Sequence, residues 1–148
     1  MKRIVTTLLA GLLFLQLNTS NAAEWLTDLP KAQAKAKAEN KLVLLDFTGS
    51  DWCGWCIRLN KEVFSQSEFQ QYAAKNLVLV EVDFPRRKPQ DATQKSANQA
   101  LAAKYKIEGY PTIVVLDGNG KQVGSTGYLP GGPKAFTAAL DAMKKPAK

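Results

Sequence analysis

The chain has 148 residues, 20 of them basic and 13 acidic, for a net charge of +7, and 45% of its residues are hydrophobic. This length fits one domain, and the apolar share excludes disorder along the whole chain. The basic residues are scattered apart from Arg86-Arg87-Lys88 and Lys144, Lys145 and Lys148; neither cluster carries interleaved aromatics, so both read as solvated surface and no nucleic-acid partner is expected.

Lys2 and Arg3 precede an apolar run from Ile4 to Leu17, then polar Asn18 to Asn21, then Ala22 and Ala23. Basic, apolar and small in that order is the pattern of a secretory signal, which assigns 1–22 to a signal peptide and 23–148 to the domain. The run is short for a membrane span, which takes about 20 apolar residues, so the competing uncleaved anchor fits less well. No cysteine stands near the cleavage point to carry a lipid. A soluble product in the periplasm or outside the cell is expected, with a eukaryotic secretory lumen still open.

Lys31 to Glu39 is rich in helix formers, with Pro30 suited to its first turn and Asn40 to a left-handed end. Leu42 to Phe47 is an apolar run holding one acid, Asp46, as in a strand buried on both faces. Thr48 to Asp51 is a turn, and a helix begins around Cys53 with Ser50 or Asp51 as its cap. Ile57, Lys61 and Phe64 are spaced like one helix surface. Ser65 to Glu68 has capping-box spacing and restarts a helix to about Lys75. Leu77 to Asp83 is a strand, and Phe84 to Thr93, with two prolines and three basic residues, is a loop. Ser96 to Lys104 is helical, and Ile113 to Leu116 is a short buried strand. Asp117-Gly118-Asn119-Gly120 is a hairpin turn into a returning strand, Gln122 to Ser125. Gly131-Gly132-Pro133 opens a last helix with Phe136, Leu140 and Met143 on one face, and the residues after Met143 fray. Strands alternating with helices predict an α/β domain: a mainly parallel, mixed sheet, helices on both faces, and an antiparallel terminal hairpin.

The chain's two cysteines are Cys53 and Cys56, and it has no histidine. C-x-x-C at a strand-to-helix junction is a redox signal. Free N–H groups and the helix dipole favour a thiolate at the first cysteine, and the thiolate is the nucleophile. Three residues on, the second cysteine can attack a mixed disulfide and release the substrate. Cys53 is therefore the expected nucleophile and Cys56 the resolving thiol, with no cofactor beyond this redox-active pair. Zinc would need about four ligands, which two cysteines without histidine do not supply, so no metal is expected. A purely structural disulfide closing so short a loop gains little, and two inert buried thiols fit poorly beside Trp52, Gly54 and Trp55.

Leu45-Asp46-Phe47, Trp52-Cys53-Gly54-Trp55-Cys56 and Gly109-Tyr110-Pro111-Thr112 resemble thioredoxin, in that order and at similar separations. The chain is most similar to the exported bacterial branch of the thioredoxin-like superfamily, over about Leu26 to Met143. The resemblance implies the thioredoxin fold and protein-disulfide oxidoreductase activity on client proteins with thiols or disulfides, with a membrane redox partner. It also implies that Pro111 is a cis-proline facing the cysteines, the alternative being a trans proline that starts a strand. The backbone at Tyr110 would pair with substrate in strand fashion. Asp46 would be a buried acid that takes the proton of Cys56, the alternative being a strand-end acid in solvent. Trp52 and Trp55 either dock clients or pack against the helix.

This chain departs from thioredoxin at four places. Trp55 stands where thioredoxin has proline, and the histidine of strong oxidants is missing, which points to a reducing or isomerising direction. One extra residue separates Asp46 from Cys53. The N-terminal strand is short or absent, and the 84–93 loop is longer, with a bearing on partner choice. A non-catalytic binding or chaperone module on the same scaffold is the alternative function. Oligomeric state is not legible.

Overall fold

A computed structural model describes residues 22–144. The expected signal segment up to residue 21, and the expected frayed tail from residue 145, lie outside the described residues.

The elements are β1 (Trp25–Leu26), α1 (Leu29–Glu39), β2 (Leu42–Thr48), α2 (Gly54–Leu59), a π-helical turn (Asn60–Phe64), α3 (Ser67–Asn76), β3 (Leu77–Asp83), α4 (Ala92–Lys104), β4 (Thr112–Leu116), β5 (Gln122–Thr126) and α5 (Gly132–Met143). The sheet order is β1-β3-β2-β4-β5. β1 and β2 both run parallel to β3, whereas β4 runs antiparallel to β2 and β5 antiparallel to β4. The sheet is mixed, as expected, but its antiparallel part begins at the β2–β4 pair rather than at the terminal hairpin. The short N-terminal strand is present.

β2 is central, so both its faces are covered, which is why it reads as a continuous apolar run. Leu44 faces a core with Leu59, Phe64, Phe69, Phe136 and Leu140 under α2, α3 and α5. Val43, Leu45 and Phe47 face a second core with Ala32 and Ala36 of α1 and Val114 and Leu116 of β4. Phe136 meets Phe64 edge-on at 5.5 Å in the first of these cores.

Local chemistry explains most boundaries. Asp28 caps α1 by accepting from the Lys31 N–H at 2.8 Å, and Asn40 ends it at φ 53°, as its sequence suggests. Asp91 caps α4 by accepting from Gln94 N–H, so that helix starts at Ala92 and not at Ser96. The expected capping box at Ser65 does not form. Ser65 closes the preceding π turn at φ −80°, ψ −5°, its hydroxyl on Asn60, and Gln66 precedes α3 without a side-chain cap. The π turn also breaks the expected Ile57–Lys61–Phe64 surface. Its extra residue per turn rotates Phe64 into the core while Ile57 stays 49% exposed.

Candidate functional site

β2 delivers Asp46 to the middle of the sheet and then turns sharply at Gly49. The Gly49 carbonyl accepts from the N–H groups of Trp52 (3.1 Å) and Cys53 (2.8 Å). A side chain at Gly49 would stand 2.5 Å from Cε2 of the Trp52 ring, so the turn requires glycine. Neither Ser50 nor Asp51 caps α2, contrary to the sequence expectation. The cap is Cys53 itself, extended at φ −83°, ψ 105°, its Sγ accepting from the Cys56 N–H at 3.2 Å. Cys53 and Cys56 form a disulfide with Cα atoms 5.2 Å apart, and their residues are 6% and 4% exposed.

Ser50 and Asp51 are instead occupied with the loop that follows β3. The Ser50 N–H and hydroxyl donate to the Asp83 carboxylate. Asp51 accepts from the N–H groups of Arg86 (3.0 Å), Arg87 (2.7 Å) and Lys88 (2.9 Å), and these bonds hold its carboxyl down at about 2. The basic run is exposed in its side chains, as a solvated surface should be, yet its backbone is fastened to the cysteine turn.

Trp52 belongs to the same fastening. Its Nε1–H donates to the Phe84 carbonyl at 2.7 Å, the Arg86 guanidinium lies over its ring at 3.6 Å, and Tyr110 meets it edge-on at 5.8 Å. Of the two sequence alternatives, Trp52 therefore takes the packed one. Trp55 is 55% exposed on the first turn of α2, beside Tyr128 at 5.1 Å and with the Arg58 guanidinium over its ring at 5.4 Å. Arg58 is held in turn by Glu62, which also accepts from the Tyr128 hydroxyl. The Tyr110–Pro111 peptide is cis. Tyr110 leans on Trp52 and Phe84, which brings this third motif against the cysteine turn.

Asp46 is buried rather than in solvent, at 8% exposure, and its Oδ1 has no hydrogen-bond partner. Burial, then the nearby Glu81 and Asp83, push its carboxyl up to about 8. A cleft of about 260 Å³, partly open to solvent, is lined by Asp46, Cys56, Asn60 and Glu81 among others, so the acid and the second cysteine border one space. The extra residue between Asp46 and Cys53 does not move Asp46 out of the sheet. Sequence reasoning passed over Glu81 and Tyr128 and gave Asp51 a different role. The available signal for Glu81 was an acid inside the otherwise apolar Leu77–Val82 run, two positions beyond Leu79 and so on the same face. A larger cleft of about 720 Å³ lies between α1, α4 and the β4–β5 turn, and no residue of the cysteine turn lines it. Among the described residues no group of three or more histidines, cysteines or acids is arranged to hold a metal ion.

A family model for a thioredoxin-like domain matches residues 29–144. The disulfide bond reductase DsbH of Chlamydia pneumoniae is 40% identical over 115 residues, covering 78% of this chain and 69% of that protein. The thioredoxin-related protein DsbJ of the same organism is 33% identical over 129 residues, which is 82% of this chain but 36% of DsbJ. A solved structure described as DsbH oxidoreductase superposes with a TM-score of 0.77 at 38% identity, covering 85% of this chain and 89% of that one.

Proposed function

The chain belongs to the thioredoxin-like domain family, and on that premise we propose that it is an exported thiol–disulfide oxidoreductase that reduces or isomerises disulfides of client proteins. The observation that carries the reading is the Cys53–Cys56 pair at the start of α2, with Cys53 as cap and its sulfur receiving a backbone N–H. In the dithiol form, that N–H and the free amides of the first turn stabilise a Cys53 thiolate. The thiolate attacks a client disulfide, a mixed disulfide forms, and one client thiol leaves. Cys56 then gives its proton to Asp46 and attacks Cys53 Sγ. The Cys53–Cys56 bond forms, the client is released reduced, and the pair has lost two electrons.

Client docking falls to Trp55, the exposed aromatic beside the pair, and to the backbone at Tyr110 and Pro111. Renewed turnover needs an electron donor, which for an exported protein is a membrane-borne dithiol carrier. The reducing direction is supported by the similarity to DsbH, a disulfide bond reductase, and by the lack of histidine beside the cysteines. Export is supported by the order of residues 1–23, and among the described residues no helix is long and apolar enough to cross a membrane.

The test is insulin-disulfide reduction by the mature domain with Cys53→Ala as control, followed by equilibration of the pair in graded thiol buffers. Turnover that disappears in Cys53→Ala, with a potential near that of reductants, is expected. An inactive wild type would leave a binding module as the reading, and a strongly oxidising potential would reverse the direction.

A further inference from the structure

The exchange step as proposed leaves a proton on a buried carboxyl. Asp46 is buried, and Glu81 is its direct partner across the parallel β2–β3 register. Two residues before each in sequence stand Leu44 and Leu79, both in the core under α2, so both acids point to the side where α2 carries Cys56. The cleft of about 260 Å³ touches Cys56, Asp46 and Glu81 together, and it is roomy enough for several waters, each needing about 10–15 Å³ of such space. Within it, Asp46 Oδ1 has no partner. Glu81 lines the same cleft and is half-buried, so it is in reach of both the cleft and solvent.

The other charged groups here are differently engaged. Asp83 is taken by the Ser50 N–H and hydroxyl and faces Lys88 Nζ at 3.8 Å. Lys88 acts on Glu81 from the loop. From α2 and the π turn come Cys56, Ile57 and Asn60, and β4 places Ile113 opposite Asp46. Among the described residues, the carboxyl free to trade a proton with Asp46 is that of Glu81.

We propose that Glu81 is a positioning residue for disulfide exchange, acting through Asp46 as the outlet that passes its proton between the buried carboxyl and bulk solvent. This rests on the reading of Asp46 as proton acceptor for Cys56. When Cys56 S–H gives its proton to the Asp46 carboxylate, the Cys56 thiolate displaces the client thiolate from Cys53. The client thiolate takes a proton from water, and the proton on Asp46 leaves through cleft water to Glu81 and then to bulk. No electrons move in this last leg, so the site is restored for the next cycle. Glu81 also sets the acidity of Asp46, because a second carboxylate nearby disfavours its ionisation.

The experiment uses the mature chain turning over a saturating fluorogenic disulfide peptide repeatedly, with dithiothreitol as electron donor and its uncatalysed rate subtracted, between pH 5 and 9.5. The wild-type rate should carry an inflection near the Asp46 value of about 8. Glu81→Gln should move that inflection down by about one pH unit and slow exchange at pH 7 at least about tenfold. Glu81→Asp should recover much of the rate. A merely structural Glu81 would leave the inflection where it was, and a Glu81→Gln profile that overlays the wild type overturns the proposal. Asp46→Asn separates the two readings. If it loses the inflection while Glu81→Gln keeps it, the Glu81 role alone fails; if it keeps the wild-type profile, the Asp46 role fails and the outlet with it. An infrared titration of the Asp46 carboxyl in Glu81→Ala gives the same decision should Glu81→Gln not fold, because an unmoved midpoint in a variant without that carboxylate overturns the coupling.

Discussion

Replacing Asp46 by asparagine puts an amide that cannot ionise at the centre of β2, and the effect on stability has a definite sign. Asp46 titrates at about 8 when folded against an ordinary 3.8, because burial and its acidic neighbours Glu81 and Asp83 disfavour the carboxylate. Between those values the folded protein holds a proton that the unfolded chain has released. Stability therefore falls as pH rises through that window, by about 1.4 kcal/mol per unit. From pH 4 to pH 7 the wild type should lose roughly 4 kcal/mol that Asp46→Asn keeps. At pH 4 the two differ by the cost of swapping a neutral carboxyl for an amide and by the small part of the titration already begun in the unfolded chain, so the change in their difference above pH 4 isolates the rest. The assay is urea unfolding of the oxidised proteins at pH 4, 5.5, 7 and 8.5, with midpoints and slopes compared. A wild-type-minus-variant difference that stays flat across that range would refute the burial argument. The same substitution should slow exchange, which makes Asp46 a group that destabilises the fold in order to work.

Two further outcomes follow from the cysteine turn. Gly49→Ala forces a methyl to 2.5 Å from the Trp52 ring. It should cost about 1–3 kcal/mol in urea unfolding and shift the Trp52 emission as the Nε1–Phe84 bond is displaced. Asp51→Ala removes the acceptor for three N–H groups, so hydrogen exchange at Arg86, Arg87 and Lys88 should accelerate while the core amides keep their protection. Asp51 has a depressed folded value of about 2, so its tether is present above the ordinary carboxylate range and is lost as pH falls towards 2. Exchange at those three amides that is unchanged in Asp51→Ala would show that the bonds do not hold the loop.

What the sequence revealed and what it hid divide along the range of the interactions. Asp28, Asn40 and the Leu42–Phe47 run act within a few residues, so α1 and β2 could be read almost to the residue. The cysteine pair was legible for the same reason: its spacing is one helical turn. Asp51 was misread as a helix cap because its side chain fits that role locally, whereas its partners lie 35 to 37 residues away. The π turn was invisible because nothing in Asn60–Phe64 departs from ordinary helix composition, and the single residue it adds decides whether Ile57 or Phe64 faces water. The reversed direction of β4 is likewise a property of the whole path through α4 and the cis Tyr110–Pro111 turn.

The candidate site depends on β2 doing two tasks that sequence treats as unrelated. Its interior carries Asp46 against Glu81 of β3, and its exit, seven residues on from Asp46, carries the first cysteine. A strand buried on both faces is the stiffest place in an α/β domain to hold an ionisable group, and burial is what brings the acidity of that group near neutrality. Were Asp46 on an edge strand, water would return its carboxyl to the ordinary range and it would be a poor base for a thiol. The central position that makes β2 read as a plain apolar run is thus the same property that gives its one acid a use.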